Sequence, residues 1–486
     1  MSKVNSLNPS TRSADSLLDS QYLERLYTVI REVYLADNRP WVIGFSGGKD
    51  STATLQVIWA SLSQLPPEKL SKTIFVISSD TYVETPVIVN YIDEVLENIN
   101  TSATNQNLPF EAHKVTPQID NTFWVNLIGR GYPAPYSRFR WCTDRLKIEP
   151  ANRFITEKVT SYGEVVVVLG ARRSESASRA GQMNKRKQIS QYLTRHCDLP
   201  NAWVLTPIED WHTEEVWDYI LTNPSPWGSD NQVLLNMYRN AQDGECPMVI
   251  DKSTPPCGNS RFGCWTCTVV AKDSSMESMV NKGEEWMRPL LDFRNWLAAT
   301  QDPDKKKKIR DVRRRIGQVQ YKTTKDGKKL IWGPYLFSFR REILKKLLKT
   351  QNLLRQHGPD PQISLIDERE LLKIRQIWSF EEGDWQDSLP AIYEEVTGET
   401  LNIPMDDWSG MGGAEFEILQ QVCKEYALPV GMLTELFDAE RRQHGMYRRS
   451  AIYNDIHTIL SKDWRSRDDV FQEACIIVEE ADGTTS

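Results

Sequence analysis

Residues 41–52 read WVIGFSGGKDST, an apolar run, a turn with two adjacent glycines, and the opening of a helical stretch that continues to Leu62. A strand that passes into a helix through such a turn aims several backbone N–H groups and the positive helix end at one point. That arrangement suits phosphate. Gly47 and Gly48 allow close approach of the backbone because neither carries a Cβ. Ser46 and Ser51 add hydroxyl donors, and Lys49 adds a charge. The G-x-x-x-x-G-K spacing of a Walker loop is absent.

Short apolar runs recur along the next 170 residues: TIFVIS (73–78), FEAHKV (110–115), VVVVLG (165–170) and AWVLTP (202–207). Val165–Val168 shows no alternation, as expected of a parallel strand buried on both faces. Gln21–Tyr34 has apolar residues at Leu23, Leu26, Val29, Ile30 and Val33, which is helical spacing. Strands alternating with helices predict a doubly wound, mostly parallel α/β domain over 19–225. A flexible arm (1–18) precedes it, and a cysteine-rich segment (226–282) follows. A basic helical region is expected over 283–358, with a break near Gly358–Pro361. The remainder, 359–486, is acidic and mainly helical.

A chain of 486 residues exceeds one ordinary domain. Hydrophobic residues at 40% and charged residues at 26% exclude wholesale disorder. No apolar run approaches the ~20 residues of a bilayer span. The opening MSKVNSLNPSTRSADS is polar and has no secretory pattern. A cytoplasmic location without a membrane partner is therefore expected. The net charge of −7 hides two opposed regions. Residues 301–350 carry 17 Lys/Arg against 5 Asp/Glu, a net +12, whereas 361–486 carry 11 against 26, a net −15. The densest basic run, KKKKIRDVRRR (305–315), reads either as a solvated helix face or as a local site for a polyanion.

Of eight cysteines, Cys246, Cys257, Cys264 and Cys267 fall within 22 residues, spaced C-x10-C-x6-C-x2-C. Such clustering asks for a metal or redox role. Thiolate-only ligation suits a structural zinc ion or a [4Fe–4S] cluster, and spacing alone leaves both open. Zinc usually pairs two C-x2-C knuckles, and one is present. Phe262 and Trp265 are placed to shield a cluster. Cys142 stands apart, in YSRFRWCTDRLKIEP (136–150). Arg138, Arg140 and Arg145 around it are expected to lower its pKa and make it a nucleophile. Cys197, Cys423 and Cys475 read as structural.

SGGKDS resembles the PP-loop of the ATP pyrophosphatase superfamily, which breaks ATP between the α and β phosphates. SSDTYVETP (78–86), LGARRSESASRA (169–180) and TPIEDWHTEEVWDYI (206–220) are similar to segments of its phosphoadenylylsulfate-reductase branch, in the same order. The resemblance implies an adenine nucleotide alpha-hydrolase-like fold and ATP with Mg2+ as cofactors. It assigns Ser46, Gly47, Gly48, Lys49, Asp50, Ser51, Asp80 and Gly170 to nucleotide binding, and Asp50, Arg172 and Cys142 to catalysis. For Asp80 and Glu84, capping of the following helix is the other reading. The segment around Cys142 resembles C-x-x-x-x-K-x-x-P, where cluster-bearing relatives carry paired cysteines and this chain has one. Cysteine window, PP-loop and basic extension together resemble the DndC family of DNA phosphorothioation sulfurtransferases. That resemblance implies a [4Fe–4S] cluster on Cys246, Cys257, Cys264 and Cys267, without Cys142. It also implies DNA, a cysteine desulfurase and other DNA sulfur-modification subunits as partners. The alternatives are a sulfonucleotide reductase and a nucleotide-sensing DNA-binding scaffold. Cys475 lacks the E-C-G-L/I-H surroundings of the reductases' mobile cysteine.

Overall fold

The computed structural model describes residues 18–175, 192–196, 198–241, 263–324, 327–402, 412–443 and 450–473. The chain forms two compact units. The first comprises Met1–Pro117, Arg140–Cys267 and Lys272–Glu285; the second comprises Gln118–Phe139, Thr268–Ala271 and Trp286–Ser486.

The first unit is built on a six-stranded sheet in the order β3-β2-β1-β4-β6-β5. Its strands are β1 (Trp41–Gly44), β2 (Ile74–Ser79), β3 (Phe110–Val115), β4 (Val165–Leu169), β5 (Thr194–Arg195) and β6 (Ala202–Leu205). All pairings are parallel except that of the two-residue edge strand β5 with β6. The doubly wound, mostly parallel sheet expected from the apolar runs is therefore present. Val165–Val168 is buried throughout, which explains its unbroken run of valines.

Helix α1 (Ser20–Leu35) starts at Asp19, whose side chain accepts the Gln21 amide, and buries Leu26, Ile30, Val33 and Tyr34. Helix α2 (Lys49–Leu62) follows β1 and is buried on nearly every side. A helix this enclosed is fixed by packing on all faces. The next helices are α3 (Pro86–Asn105), the three-residue α4 (Trp141–Thr143) and α5 (Glu149–Tyr162). A π-helical turn, Asp144–Ile148, joins α4 to α5. Helices α6 (Thr213–Thr222), α7 (Asn231–Ala241) and α8 (Ser274–Asn281) complete the unit. Trp211 and Trp217 are core residues.

Sheet order places the C-terminal ends of β2, β1 and β4 side by side, with β1 central. Chain direction away from β1 reverses there, and ligands of open α/β sheets bind at such a point.

The second unit is mainly helical. It contains α9 (Arg288–Ala298), α10 (Pro303–Ile309), α11 (Phe337–His357), α12 (Glu368–Glu381), α13 (Ser388–Thr397), α14 (Gly413–Glu425), α15 (Val430–Gln443) and α16 (Ser450–Leu460). Phe339, Ile343, Leu344, Leu347, Leu348 and Leu354 form the buried face of α11. Segment 118–139 is anchored here by indole bonds: Trp124 Nε1 donates to Leu365 O at 2.6 Å, and Trp378 Nε1 to Ile128 O at 3.0 Å. An antiparallel hairpin, β7 (Tyr321–Thr324) with β8 (Gly327–Leu330), interrupts the basic stretch. No helix among the described residues is long and apolar enough to cross a membrane.

Candidate functional site

The turn between β1 and α2 has the geometry its glycines require. Gly47 sits at φ +70°, and a Cβ there would lie 2.5 Å from Ile92 Cδ1. Gly48 is the N-cap of α2 and supplies no side chain to the first helical amides. The Ser51 hydroxyl donates to Gly48 O at 2.9 Å and accepts the Ser46 amide at 3.2 Å. Ser46 Oγ lies 3.2 Å from Ser51 Oγ. Both hydroxyls thus stand at the positive end of α2, which favours an anion.

Asp50 is held between two cations. Lys49 Nζ lies 3.0 Å from Asp50 Oδ2, and Arg172 Nε lies 2.6 Å from Asp50 Oδ1. Arg172 is buried and also donates to Ser174 Oγ at 2.8 Å and to Trp211 O at 3.2 Å. Gly170 allows the end of β4 to reach the loop, since a Cβ there would lie 2.7 Å from Asp50 O. The structure therefore brings Ser46, Gly47, Gly48, Lys49, Asp50, Ser51, Gly170 and Arg172 together. Asp80 ends β2 on the same edge of the sheet. Its carboxylate accepts the Tyr82 amide at 2.9 Å and pairs with Lys114 at 3.3 Å. Neither Asp80 nor Glu84 caps α3, whose N-cap is Thr85.

Sequence reasoning missed Tyr238 of α7. Its hydroxyl accepts the Lys49 amide at 3.3 Å, and Lys49 Nζ lies 5.6 Å from its ring centroid. No local pattern marks a contact between residues so far apart in sequence.

A second cluster forms beside the end of β2. Gly263–Cys267 lies along Val83–Thr85: Trp265 N donates to Val83 O at 3.0 Å, and Thr85 Oγ1 donates to Gly263 O at 3.1 Å. Glu84 and Cys264 form a single β-bridge pair. The Glu84 carboxylate receives Thr81 Oγ1 at 3.0 Å, Lys147 Nζ at 3.2 Å and Cys264 Sγ at 3.7 Å. Lys147 lies on the π-helical turn after α4 and is the Lys of the C-x-x-x-x-K segment.

Cys142 does not stand apart, as its place in the sequence suggests. It interacts electrostatically with both Cys264 and Cys267. Nor is its thiol lowered by Arg138, Arg140 and Arg145. Burial pushes it up, Cys267 pushes it further, and hydrogen bonds with Thr143 offset this only in part. The Cys264 thiol is pushed up to about 12 by burial and then by Glu84, against the pull of Lys147 and Thr81. Burial disfavours the Lys147 cation, but Cys264, Glu84 and Cys142 outweigh it and hold the ammonium above its ordinary range.

Cys246 and Cys257 lie outside the described residues, as does Cys197. Among the described residues no three potential ligands are grouped so as to hold a metal ion. The thiols of Cys142, Cys264 and Cys267 are soft donors, which is the chemistry of a zinc–thiolate or iron–sulfur site, and the Glu84 carboxylate stands beside Cys264.

Residues 40–270 match the family model described as the phosphoadenosine phosphosulfate reductase domain. The six-stranded, mostly parallel sheet of the first unit has the adenine nucleotide alpha-hydrolase-like fold. An uncharacterized protein of Methanocaldococcus jannaschii is 27% identical over 216 residues. That match covers 44% of this chain and 38% of the relative's length. Among solved structures, FMN adenylyltransferase of Candida glabrata with FMN and an ATP analog aligns at 15% identity and TM-score 0.27. It covers 43% of this chain and 58% of that one. The U34-tRNA thiolase NcsA of Methanococcus maripaludis, with its [4Fe–4S] cluster, aligns at 10% identity and TM-score 0.28, covering 58% and 78%.

Proposed function

We propose that this chain is an ATP-dependent sulfurtransferase that activates a DNA backbone phosphate and helps replace a non-bridging oxygen by sulfur. The observation that carries the reading is the pairing, within one compact unit, of a phosphate loop with the half-buried thiols of Cys142, Cys264 and Cys267, of which Cys142 interacts electrostatically with the other two. The loop serves the activation step. A phosphate oxygen of DNA attacks the α phosphorus of ATP, and the bond to pyrophosphate breaks. The α2 N-terminus, Ser46 and Ser51 take the developing charge on the leaving pyrophosphate, while Asp50 fixes Lys49 and Arg172 beside it.

Replacement then needs sulfur at the activated phosphorus. The terminal sulfur of a Cys142 persulfide, charged by a cysteine desulfurase, attacks phosphorus, and AMP departs. A neighbouring thiol attacks the cysteine-bound sulfur, closes a protein disulfide and leaves sulfur on phosphorus. A thiol reductant then reopens the disulfide. Cys264 and Cys267 are the described thiols coupled to Cys142. Alternatively, Cys142, Cys264 and Cys267, with a further window cysteine, would hold a [4Fe–4S] cluster that supplies a soft site for sulfide. Lys147 would offset the negative charge of either arrangement.

Support for a DNA substrate comes from charge in the second unit. Lys322 and Lys329 face each other directly across the β7–β8 hairpin. Burial and then the charges of Arg310 and Lys329 push Lys306 below its ordinary pKa. Lys305, Lys307 and Lys308 are exposed. Among the described residues, none of these six lysines has a carboxylate within ion-pair distance. Like charges facing each other across strands are destabilising, and a phosphate backbone relieves them.

The test is product analysis. ATP with DNA should yield pyrophosphate and AMP, and the DNA should gain sulfur when a persulfide donor is supplied. Release of ADP and orthophosphate would refute the loop assignment. Pyrophosphate release driven by a sulfonucleotide, with none driven by DNA, would favour the small-molecule reductase.

A further inference from the structure

The first amides of α2 need an acceptor that the loop does not provide. Gly48, the N-cap, has no side chain, and the Ser51 hydroxyl is already engaged with Gly48 O and the Ser46 amide. The acceptor at the Lys49 amide is the Tyr238 hydroxyl, 3.3 Å away, from α7 and 189 residues further along the chain. It is a neutral acceptor at the spot where the helix end favours an anion. The same hydroxyl is 3.3 Å from where a Cβ on Gly48 would lie, so the glycine leaves room for it.

Tyr238 is firmly placed. Its ring is buried, meets Trp217 edge-on at 5.0 Å between centroids, and lies under Lys49 Nζ. A phenol both accepts and donates. An anionic oxygen that takes over the Lys49 amide arrives within reach of the Tyr238 proton, and the hydroxyl turns from acceptor to donor. We infer that Tyr238 is a polyphosphate ligand of the loop, supplied from α7. In the empty site it holds the helix N-terminus, and in the loaded site it donates to a phosphate oxygen.

The inference rests on the reading of the loop as an ATP site, and the experiment separates the two. Inorganic pyrophosphate is titrated calorimetrically into the full chain and into Tyr238→Phe, which keeps the ring contacts and removes only the hydroxyl. Loss of one charge-assisted hydrogen bond should weaken binding by about tenfold or more, alongside a small drop in melting temperature from the acceptor lost at the Lys49 amide. Tyr238→Met, which lacks both ring and hydroxyl, should bind pyrophosphate no better than the Phe variant. Equal or tighter binding by Tyr238→Phe overturns the role of Tyr238 and leaves the loop reading standing. Failure of the parent chain to bind pyrophosphate overturns both.

Discussion

Asp50 answers two cations at once, and that fixes what its loss should do. Arg172 is almost fully enclosed and donates to Asp50 at 2.6 Å. Removing the carboxylate leaves a buried guanidinium short of its counter-charge. Because Asp50 itself is partly exposed, Asp50→Asn should cost about 2 kcal/mol of stability, below the ~3–5 of a fully buried pair. Pyrophosphate release should fall at least a hundredfold, because Lys49 and Arg172 lose their common anchor. Calorimetric melting together with a pyrophosphate assay checks both parts; a variant with parental stability would contradict the pairing. In the second unit, Glu370 lies in the first turn of α12, where its side chain accepts the Asp367 amide at 3.1 Å. Burial pushes its pKa from 4.5 up to about 7, hydrogen bonds from Thr122 and the Asp367 amide oppose this, and the charge of Asp367 adds to it. Between these two values the folded chain holds a proton that the unfolded chain has released. Stability is therefore fully present below the unfolded value and is lost as pH rises through 7. The slope is about 1.4 kcal/mol per pH unit, for a total on the order of 3 kcal/mol. Urea unfolding of the full chain at pH 5 and pH 8 should show this loss, and Glu370→Gln should largely remove it.

Elements differ in how well the sequence announces them. The strands β1, β2, β4 and β6 fall within a residue or two of the apolar runs that predict them, because parallel strands buried on both faces need nearly continuous apolar sequence, whereas the edge strand β3 buries only Phe110 and Val115 at its ends. The edge strand β5 is two residues long and carries no such signal. The β7–β8 hairpin is written in Lys and Thr, which read as a solvated face until pairing shows Lys322 opposite Lys329. The phosphate loop was legible because its chemistry is local: glycines, hydroxyls and a helix start within nine residues. The thiol cluster was only half legible. C-x2-C places Cys264 and Cys267 by spacing, but Cys142 reaches them through the packing of Gly263–Cys267 along Val83–Thr85, where Glu84 meets Lys147. This changes the expectation for metal loading. If iron binds, Cys142→Ser should reduce it as severely as Cys264→Ser or Cys267→Ser, whereas Cys423→Ser should not. Iron content and visible absorbance of anaerobically prepared protein measure this. Full iron in Cys142→Ser would return Cys142 to a role outside the cluster.

At the scale of the whole molecule the imbalance is one of charge sign: a chain of net −7 concentrates +12 in residues 301–350. Self-repulsion within such a patch is relieved by nearby acids or by an external anion. Some of its arginines are answered internally: Arg313 pairs with Asp311, Arg315 with Glu381 and Arg340 with Glu382. Arg310 and Arg314 donate instead to the carbonyls of Gly333 and Trp332. The lysines of α10, with Lys322 and Lys329 of the hairpin, have no ion pair among the described residues, and neither do Arg341, Lys346 and Lys349 of α11. The prediction follows from that division. Duplex DNA should bind the full chain with an affinity that falls steeply as salt rises. Neutralising Lys322 and Lys329 to Gln should lower the slope of log affinity against log salt by about 2, one unit for each lost phosphate contact. The same change should leave the hairpin no less stable, since it removes a facing like-charge pair. Reversing Lys305–Lys308 to Glu should weaken DNA binding further. Pyrophosphate binding should be unchanged in both variants, because neither touches the α2 loop. If affinity and salt slope match the parent in both variants, these lysines do not carry DNA. If DNA binding is lost together with pyrophosphate binding, the variants have disturbed the fold rather than a surface.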